Sequence, residues 1–429
     1  MKRFFFAALI LGQVAAAEVV SNEDVTYLTE LAQAVSAASS VEPGAKAGKW
    51  TNQLGFAYFA PGGMDCYPAF WIRDFVMSVE SGVISRETAR RAFECIANFQ
   101  AKQEVALPSG ARIPSGSIPD HIRPDGAAVF FPGTYDPEKS GGKVWGFRPA
   151  MDDNFFFIHL ANFLQDVDMA KYADALEAAF HAVSCDADGV VECREENRGV
   201  AFGFSDSVFQ TGKLLWPTLL KARAARELSQ LFAQAGNKEK SRYYAEIYTH
   251  LKEKIEEIFF HESGLLLSAT GICRQPDGWG SAYALYCDLV SEKTAAAISD
   301  SLAKFYREGA ISCEGQICHV PRPFFASFAS CWEKTSCRIA ANVYQNGSYW
   351  ATPTGWVVYA IAYRHPDEGK KLFGEYIQHL KKFDFRRKGD GGAPWECIYP
   401  ADAYFQNAVY LTSVTCPLAA AQRLAREAK

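Results

Sequence analysis

Apolar residues recur along this chain at intervals of three and four wherever the pattern is clear, which is the period of a helix with one buried face. The stretch SRYYAEIYTHLKEKIEEIFF aligns Tyr244, Ile247, Tyr248, Leu251, Ile255 and Ile258 on one side, after a Gly236-Asn237 pair suited to ending the helix before it. SRETARRAFECIANFQ opens on Ser85, a helix-capping residue, and HPDEGKKLFGEYIQHLKKF opens on Pro366-Asp367. Runs of alternating residues that would make extended sheet are few and short. The pattern predicts twelve helices, near 24–38, 70–82, 86–100, 152–166, 170–183, 205–235, 238–258, 279–289, 293–307, 347–362, 366–383 and 402–419.

The connections between them alternate in length. Those at 83–85, 167–169, 236–237, 290–292 and 363–365 are tight, whereas those at 39–69, 101–151, 184–204, 259–278, 308–346 and 384–401 are long and rich in Gly, Pro and Cys. Strict alternation makes six helical hairpins with every long loop on the same side. Two concentric rings of six helices are one closed way to bury such a set. The expected fold is therefore all-α, an (α/α)6 barrel or toroid filling residues 18–429 as a single domain. No repeat of fixed period is visible, which speaks against a regular solenoid.

Against this background some residues stand out. CYPAFWIRDFVMSVESG, residues 66–82, places Arg73 and Asp74 just after Trp71 inside an otherwise apolar run. Each long loop leads into an even-numbered helix, and unusual polar residues gather at those starts. Asp152, Asp153 and Asn154 stand at the fourth, Asp206 in FGFSDSVFQTG at the sixth, and Asp277 with Trp279 in PDGWGSAY at the eighth. Tyr344, Gln345, Asn346 and Trp350 in YQNGSYWATPTGW precede the tenth, and Trp395 with Glu396 in APWECIYP precede the twelfth. A carboxylate at a helix start has a plain role as a cap, enough to explain Asp152 or Asp206 alone. If the even helices form the inner ring, however, all six clusters converge on one end of the barrel and build a polar, aromatic-lined pocket.

Composition narrows what that pocket handles. The chain has 429 residues, 49% hydrophobic and 14% aromatic, ample for a large core, and its net charge of -5 offers no basic field for nucleic acid. MKRFFFAALILGQVAAAEVV reads as an export signal, two basic residues before a short apolar run, with cleavage after Ala17. No other run is long enough to span a bilayer, so the expected product is secreted or periplasmic. An exported chain with 12 cysteines permits disulfides, and Cys185/Cys193, Cys313/Cys318 and Cys331/Cys337 are candidate local staples. Neither a CxxC pair nor HExxH occurs and the 8 histidines are scattered, so no metal or cofactor is expected.

Carboxylates, an Arg, Asn, Gln and several Trp in one pocket suit a carbohydrate, whose ring stacks on aromatic faces and whose hydroxyls meet planar polar groups. Two carboxylates flanking a glycosidic bond can supply a general acid and a general base or nucleophile. Here the sequence resembles the six-hairpin (α/α)6-barrel glycosidases. Trp71-Ile72-Arg73-Asp74 is similar to the W-x-R-D element of glucoamylase-type enzymes, and Gln345-Asn346-Gly347 followed by Trp350 to the N-G-x-W region of trehalases and related glucosidases. The resemblance implies that Arg73 and Asp74 hold the terminal sugar, that Asp206 is the general acid and that Glu396 is the general base. Asp153 and Asp277 compete for the acid role. It further implies Trp71, Asp153, Asn154, Asp277, Trp279, Gln345, Asn346, Trp350 and Trp395 as substrate-binding residues. The sequence departs from the relatives where GFSDS replaces the trehalase-type acid motif and where the paired glutamate of glucoamylases is absent.

The implied activity is an exo-acting, inverting glycoside hydrolase on a glucoside or similar hexoside, its partner an oligosaccharide or glycoside. Two other readings stand beside it. A polysaccharide lyase or sugar epimerase on the same toroid would need a His or Tyr as proton carrier, for which His121 and His319 are candidates. A non-catalytic carbohydrate-binding protein would tolerate neutralised carboxylates.

Overall fold

The computed structural model describes residues 19–63, 66–107, 110–131, 148–335, 339–389 and 391–428; the expected leader and Cys337 lie outside them. Local signals start the helices where they were expected on the outer layer. Ser85 accepts a hydrogen bond from the Thr88 N–H to open α3 (Arg86–Phe99), Asn237 from Lys240 to open α7 (Lys238–Phe259), and Ser291 from Thr294 to open α9 (Glu292–Arg307). With α1 (Asn22–Ser39), α5 (Met169–His181) and α11 (Pro366–Phe383), these six are amphipathic. In α7, Tyr244, Leu251, Ile255 and Phe259 are buried while Ile247, Tyr248 and Ile258 pack half-buried beside them.

The other long helices are buried nearly all round. They are α2 (Ile72–Ser78), α4 (Asp153–Leu164), α6 (Leu215–Gln234), α8 (Gly278–Tyr286), α10 (Thr354–Ala362) and α13 (Thr412–Glu427). Each packs on the next, α2 on α4, α4 on α6, α6 on α8, α8 on α10, α10 on α13, and α13 returns to α2, so the inner ring closes. Outside it α1 lies on α13, α3 on α4, α5 on α4 and α6, α7 on α6, α9 on α8 and α10, and α11 on α10 and α9. This is the (α/α)6 toroid, with one extra single-turn helix, α12 (Phe385–Lys388).

Three inner helices start later than the hydrophobic pattern suggests. α6 begins at Leu215 rather than near 205, because Pro217 suits the first turn, where no backbone N–H is needed, and Gly212 before it takes φ +79°. α10 begins at Thr354, just after Pro353, and α13 at Thr412. Pro417 lies within α13 and leaves the Ser413 carbonyl without its helical donor; the Tyr376 hydroxyl donates to that carbonyl instead, at 2.7 Å. The residues displaced from these helices form short strands. Ser312–Cys313, Gln316–Ile317, Tyr349–Trp350, Trp395–Tyr399 and Tyr404–Ala408 pair antiparallel, in that order, into a five-stranded sheet on the long-loop side. Helical periodicity alone did not announce that sheet.

The expected staples are not formed. Cys185, Cys193, Cys313, Cys318 and Cys331 are free thiols. The Cys193 sulfur donates to the Gln210 carbonyl at 3.3 Å and the buried Cys318 sulfur to that of Val320 at 3.1 Å, so each faces a backbone oxygen rather than its sequence neighbour. Among the described residues no helix is long and apolar enough to cross a membrane.

Candidate functional site

Phe70–Trp71 pairs with His121–Ile122, which brings the Trp71 ring onto His121 at 4.1 Å and delivers the chain into the first turn of α2. That turn carries Arg73 and Asp74. The guanidinium of Arg73 is buried and donates through Nε to Asp152 Oδ2 at 2.6 Å, and through Nη2 to Asp120, Asp152 and Asp153 at 3.0–3.1 Å. Its flat face lies against Gly203, where an added Cβ would stand 1.9 Å from the guanidinium carbon; only glycine fits. The Gly203 N–H in turn donates to Asp152 at 2.9 Å. Burial works to raise Asp120, but the hydrogen bond from His121 and the charge of Arg73 overcome it and hold that carboxyl below its ordinary value. Asp153 goes the other way, pushed well up by burial. One arginine thus binds α2, the loop strand and the start of α4 into a single charged knot.

Above this knot, at the N-terminal end of the inner ring, lies a cavity of about 110 Å³. That is room for several waters. Its walls are Trp71 from the strand before α2, Arg73 and Asp74 from α2, Gly203, Phe204 and Asp206 from the loop before α6, and Tyr344 from the loop before α10. Glu396 and Tyr410 from the segment before α13, with Pro61 and Tyr67, complete them. The three carboxyls differ in their partners. Asp74 accepts from the Tyr410 hydroxyl at 3.1 Å, and burial raises it to about 7 against the pull of Arg73. Glu396 Oε2 accepts from the Gln406 amide at 3.2 Å and from the Asn407 amide. Burial carries Glu396 to about 8, with Asn407 opposing and Asp74 and Asp206 adding to the rise. Asp206 Oδ1 has no hydrogen-bond partner, and burial pushes that carboxyl well above its ordinary range, with the Gln345 amide and the charge of Arg73 opposing and Asp120 and Asp152 adding to the rise. The difference has a chemical meaning. Donors around Glu396 favour its ionised form, while the bare Oδ1 of Asp206 favours a retained proton.

Of the residues singled out in the sequence, Trp71, Arg73, Asp74, Asp206, Tyr344 and Glu396 meet at this cavity. The others do not line it. Asp153 stands behind Arg73, and the Asn154 amide donates to the Ala179 carbonyl at 2.7 Å while accepting from Ile118, bracing a loop. Asp277 caps α8, accepting from Gly280 at 2.8 Å and from the Trp216 indole at 2.9 Å. Trp279 is fully buried and stacks on His319 at 3.6 Å, and Trp350 meets Trp279 and Phe204 edge-on as the layer behind the wall. Gln345 accepts from the Ser207 N–H and hydroxyl and donates to the Gly203 carbonyl, so it shapes the loop that presents Asp206. Asn346 holds Cys331 and Ser330 at 2.8 Å each, and the Trp395 indole donates to Gly391. His121 serves Asp120 at 2.8 Å, and burial holds His319 neutral, down to about 3.

Sequence reasoning missed Tyr67 and Tyr410, and named Tyr344 only within the cluster before the tenth helix. Tyr67, Tyr344 and Tyr410 reach the cavity from loops, and Tyr67, Tyr344, Asn407 and Val409 all adopt positive φ, between 46° and 57°. Such conformations are uncommon outside glycine and gather where surrounding structure imposes them. No local sequence signal marks them.

The fold has well-determined counterparts. A rhamnosidase from Klebsiella oxytoca with rhamnose bound superposes with a TM-score of 0.56 at 14% identity over 95% of this chain, which spans 64% of that one. A mannosylglycerate hydrolase from Thermus thermophilus in complex with glucose gives 0.56 at 13% identity, covering 91% of this chain and 99% of that one. A glucoamylase from Saccharomycopsis fibuligera gives 0.57 at 11% identity over 95% and 97%. At these identities the likeness is one of fold. No family model and no curated protein matches the sequence.

Proposed function

We propose that this chain is an exo-acting, inverting glycoside hydrolase of a glucoside or similar hexoside, a single catalytic domain spanning residues 18–429 that is exported after removal of residues 1–17. The observation that carries the reading is the meeting of Asp74, Asp206 and Glu396 in one small cavity at the N-terminal end of the inner ring. A cavity of this size admits one terminal sugar, which suits attack at a chain end. Trp71 supplies a stacking face, and Arg73 and Asp74 supply hydroxyl partners. Asp206, kept protonated by burial, donates to the departing glycosidic oxygen. Glu396, steadied by the Gln406 and Asn407 amides, accepts a proton from the water that attacks the anomeric carbon. No cofactor enters this chemistry. The hydrolases and the rhamnosidase that share the fold support the choice of glycosidic bonds as the target.

The lyase or epimerase reading is weaker on chemical grounds. No histidine lines the cavity among the described residues, and burial holds Tyr344 and Tyr410 well above their ordinary value, as hydrogen-bond donors rather than bases. The test is a panel of aryl glycosides and oligosaccharides with product anomers followed by NMR. Release of one terminal sugar with inverted configuration is the expected result. Retention of configuration would move Glu396 or Asp206 to the role of nucleophile, and binding without turnover across the panel would favour a binding protein.

A further inference from the structure

Away from the cavity, the first residues after α5 meet the middle of α6 in an unusual pair. Lys221 of α6 is only 7% exposed, and its Nζ lies 2.8 Å from the Cys185 sulfur and 2.8 Å from the Gly189 carbonyl oxygen. Among the described residues no carboxylate pairs with it. The ring of Phe180 lies beneath the amine at 5.3 Å. The approach to sulfur is the point of interest. Every other polar contact of a described cysteine sulfur runs from 3.1 to 4.0 Å, so this nitrogen stands closer to its sulfur than any other hydrogen-bonding partner of a cysteine among the described residues. Cys185 is partly exposed, so a small oxidant and water can approach this pair from its side, while Lys221 is mostly buried.

We propose that Cys185 and Lys221 form a covalent sulfur–nitrogen crosslink when the protein meets hydrogen peroxide. In the first step the Cys185 sulfur attacks one peroxide oxygen. A sulfur–oxygen bond forms, the oxygen–oxygen bond breaks, and water leaves; the thiol is oxidised to a sulfenic acid and the peroxide is reduced. In the second step the Lys221 amine, having released its extra proton to solvent, attacks that sulfur. A sulfur–nitrogen bond forms, the sulfur–oxygen bond breaks, and the hydroxyl departs with an amine proton as a second water. One thiol, one amine and one peroxide therefore give one sulfenamide and two waters. A sulfenic acid condenses with a thiol or nitrogen nucleophile that reaches it; here the Lys221 nitrogen already stands 2.8 Å from the sulfur.

The crosslink also has a structural consequence. Residue 185 opens the connection that runs through the hairpin of Glu192–Cys193 with Gly212–Lys213, and the turn bearing Asp206 lies within that hairpin's loop. Tying its start to α6 closes a covalent loop in the unfolded chain, which raises the melting temperature. This proposal stands whether or not the cavity is a glycosidase site.

The experiment treats the full chain with hydrogen peroxide, alkylates remaining thiols, digests beside acidic residues so that Lys221 is not a cleavage point, and maps the peptides by mass. The expected product joins the peptides containing Cys185 and Lys221, lacks two hydrogens relative to their sum, and separates with dithiothreitol. It should be absent in Cys185→Ser and in Lys221→Arg, the latter keeping the positive charge so that the fold is preserved. Peroxide should raise the melting temperature of the wild type and leave that of Lys221→Arg unchanged. Recovery of Cys185 as a disulfide with Cys193, as a sulfinic or sulfonic acid, or as an alkylated thiol beside unmodified Lys221 would overturn the proposal.

Discussion

Replacing Glu396 by Gln should inactivate the protein and, at neutral pH, stabilise it. The amide keeps the size of the side chain and can turn its oxygen toward the Gln406 and Asn407 amides that now donate to the carboxylate. It cannot take a proton from water. Loss of a positioned base costs about 10²–10⁴-fold in rate, or about 3–5 kcal/mol of transition-state stabilisation. The stability effect follows from the raised proton affinity of Glu396, from 4.5 to about 8. A carboxyl raised in the folded state costs nothing below its unfolded value, where both states hold the proton. As pH rises from 4.5 toward 8 the unfolded chain ionises first, so the folded state loses stability by about 3 kcal/mol at pH 7. Glutamine removes that loss. The variant should therefore melt above the wild type at pH 7 and with it at pH 4, while ligand affinity persists through Trp71, Arg73 and Asp74. In the wild type, kcat/KM should climb with pH through 7–8 as Glu396 ionises, and fall once Asp206 loses its proton. The assays are turnover across pH, ligand titration and melts at both pH values. Near-wild-type turnover in a folded Glu396→Gln protein removes Glu396 from the chemistry, and a lower melting point at pH 7 refutes the electrostatic account.

Three further outcomes follow from the same geometry. Asp206→Asn should abolish turnover of unactivated glycosides yet spare part of it on aryl glycosides with acidic leaving groups, which need little protonation; equal loss on both classes, measured by steady-state rates, argues against an acid role. Asp74→Asn should weaken ligand binding as well as turnover, because in the proposed mechanism Asp74 holds the sugar throughout the reaction, and calorimetric titration with the released monosaccharide checks it. Arg73→Met leaves Asp120, Asp152 and Asp153 buried around an absent cation and should destabilise the fold by about 3–5 kcal/mol, read from denaturant unfolding; a loss below about 1 kcal/mol would mean that these carboxyls take up protons or water at little cost.

The class of fold was legible in the chain itself. Amphipathic stripes such as that of α7 and caps such as Ser85, Asn237 and Ser291 act within a few residues, so their helices appear where local chemistry says they should. The alternation of tight and long connections is likewise a property of the chain, and it limits how six hairpins can be buried. Arg73 and Asp74, just after Trp71, were visible as charges out of place in an apolar run. What no local pattern contained was the destination of each polar residue. Asp277 and Asp206 look alike as carboxylates before a helix, yet one caps α8 and the other faces the cavity with an unpartnered oxygen. The starts of α6, α10 and α13 were set by prolines and by strand pairing with distant loops, which moved Asn346 into a brace and Glu396 into a strand. Tyr67, Tyr344 and Tyr410 are placed by loops held at positive φ by their surroundings. Periodicity and capping are decided among near neighbours in the chain; a hydrogen bond between residues hundreds of positions apart, such as that from Tyr410 to Asp74, exists only once the ring has closed.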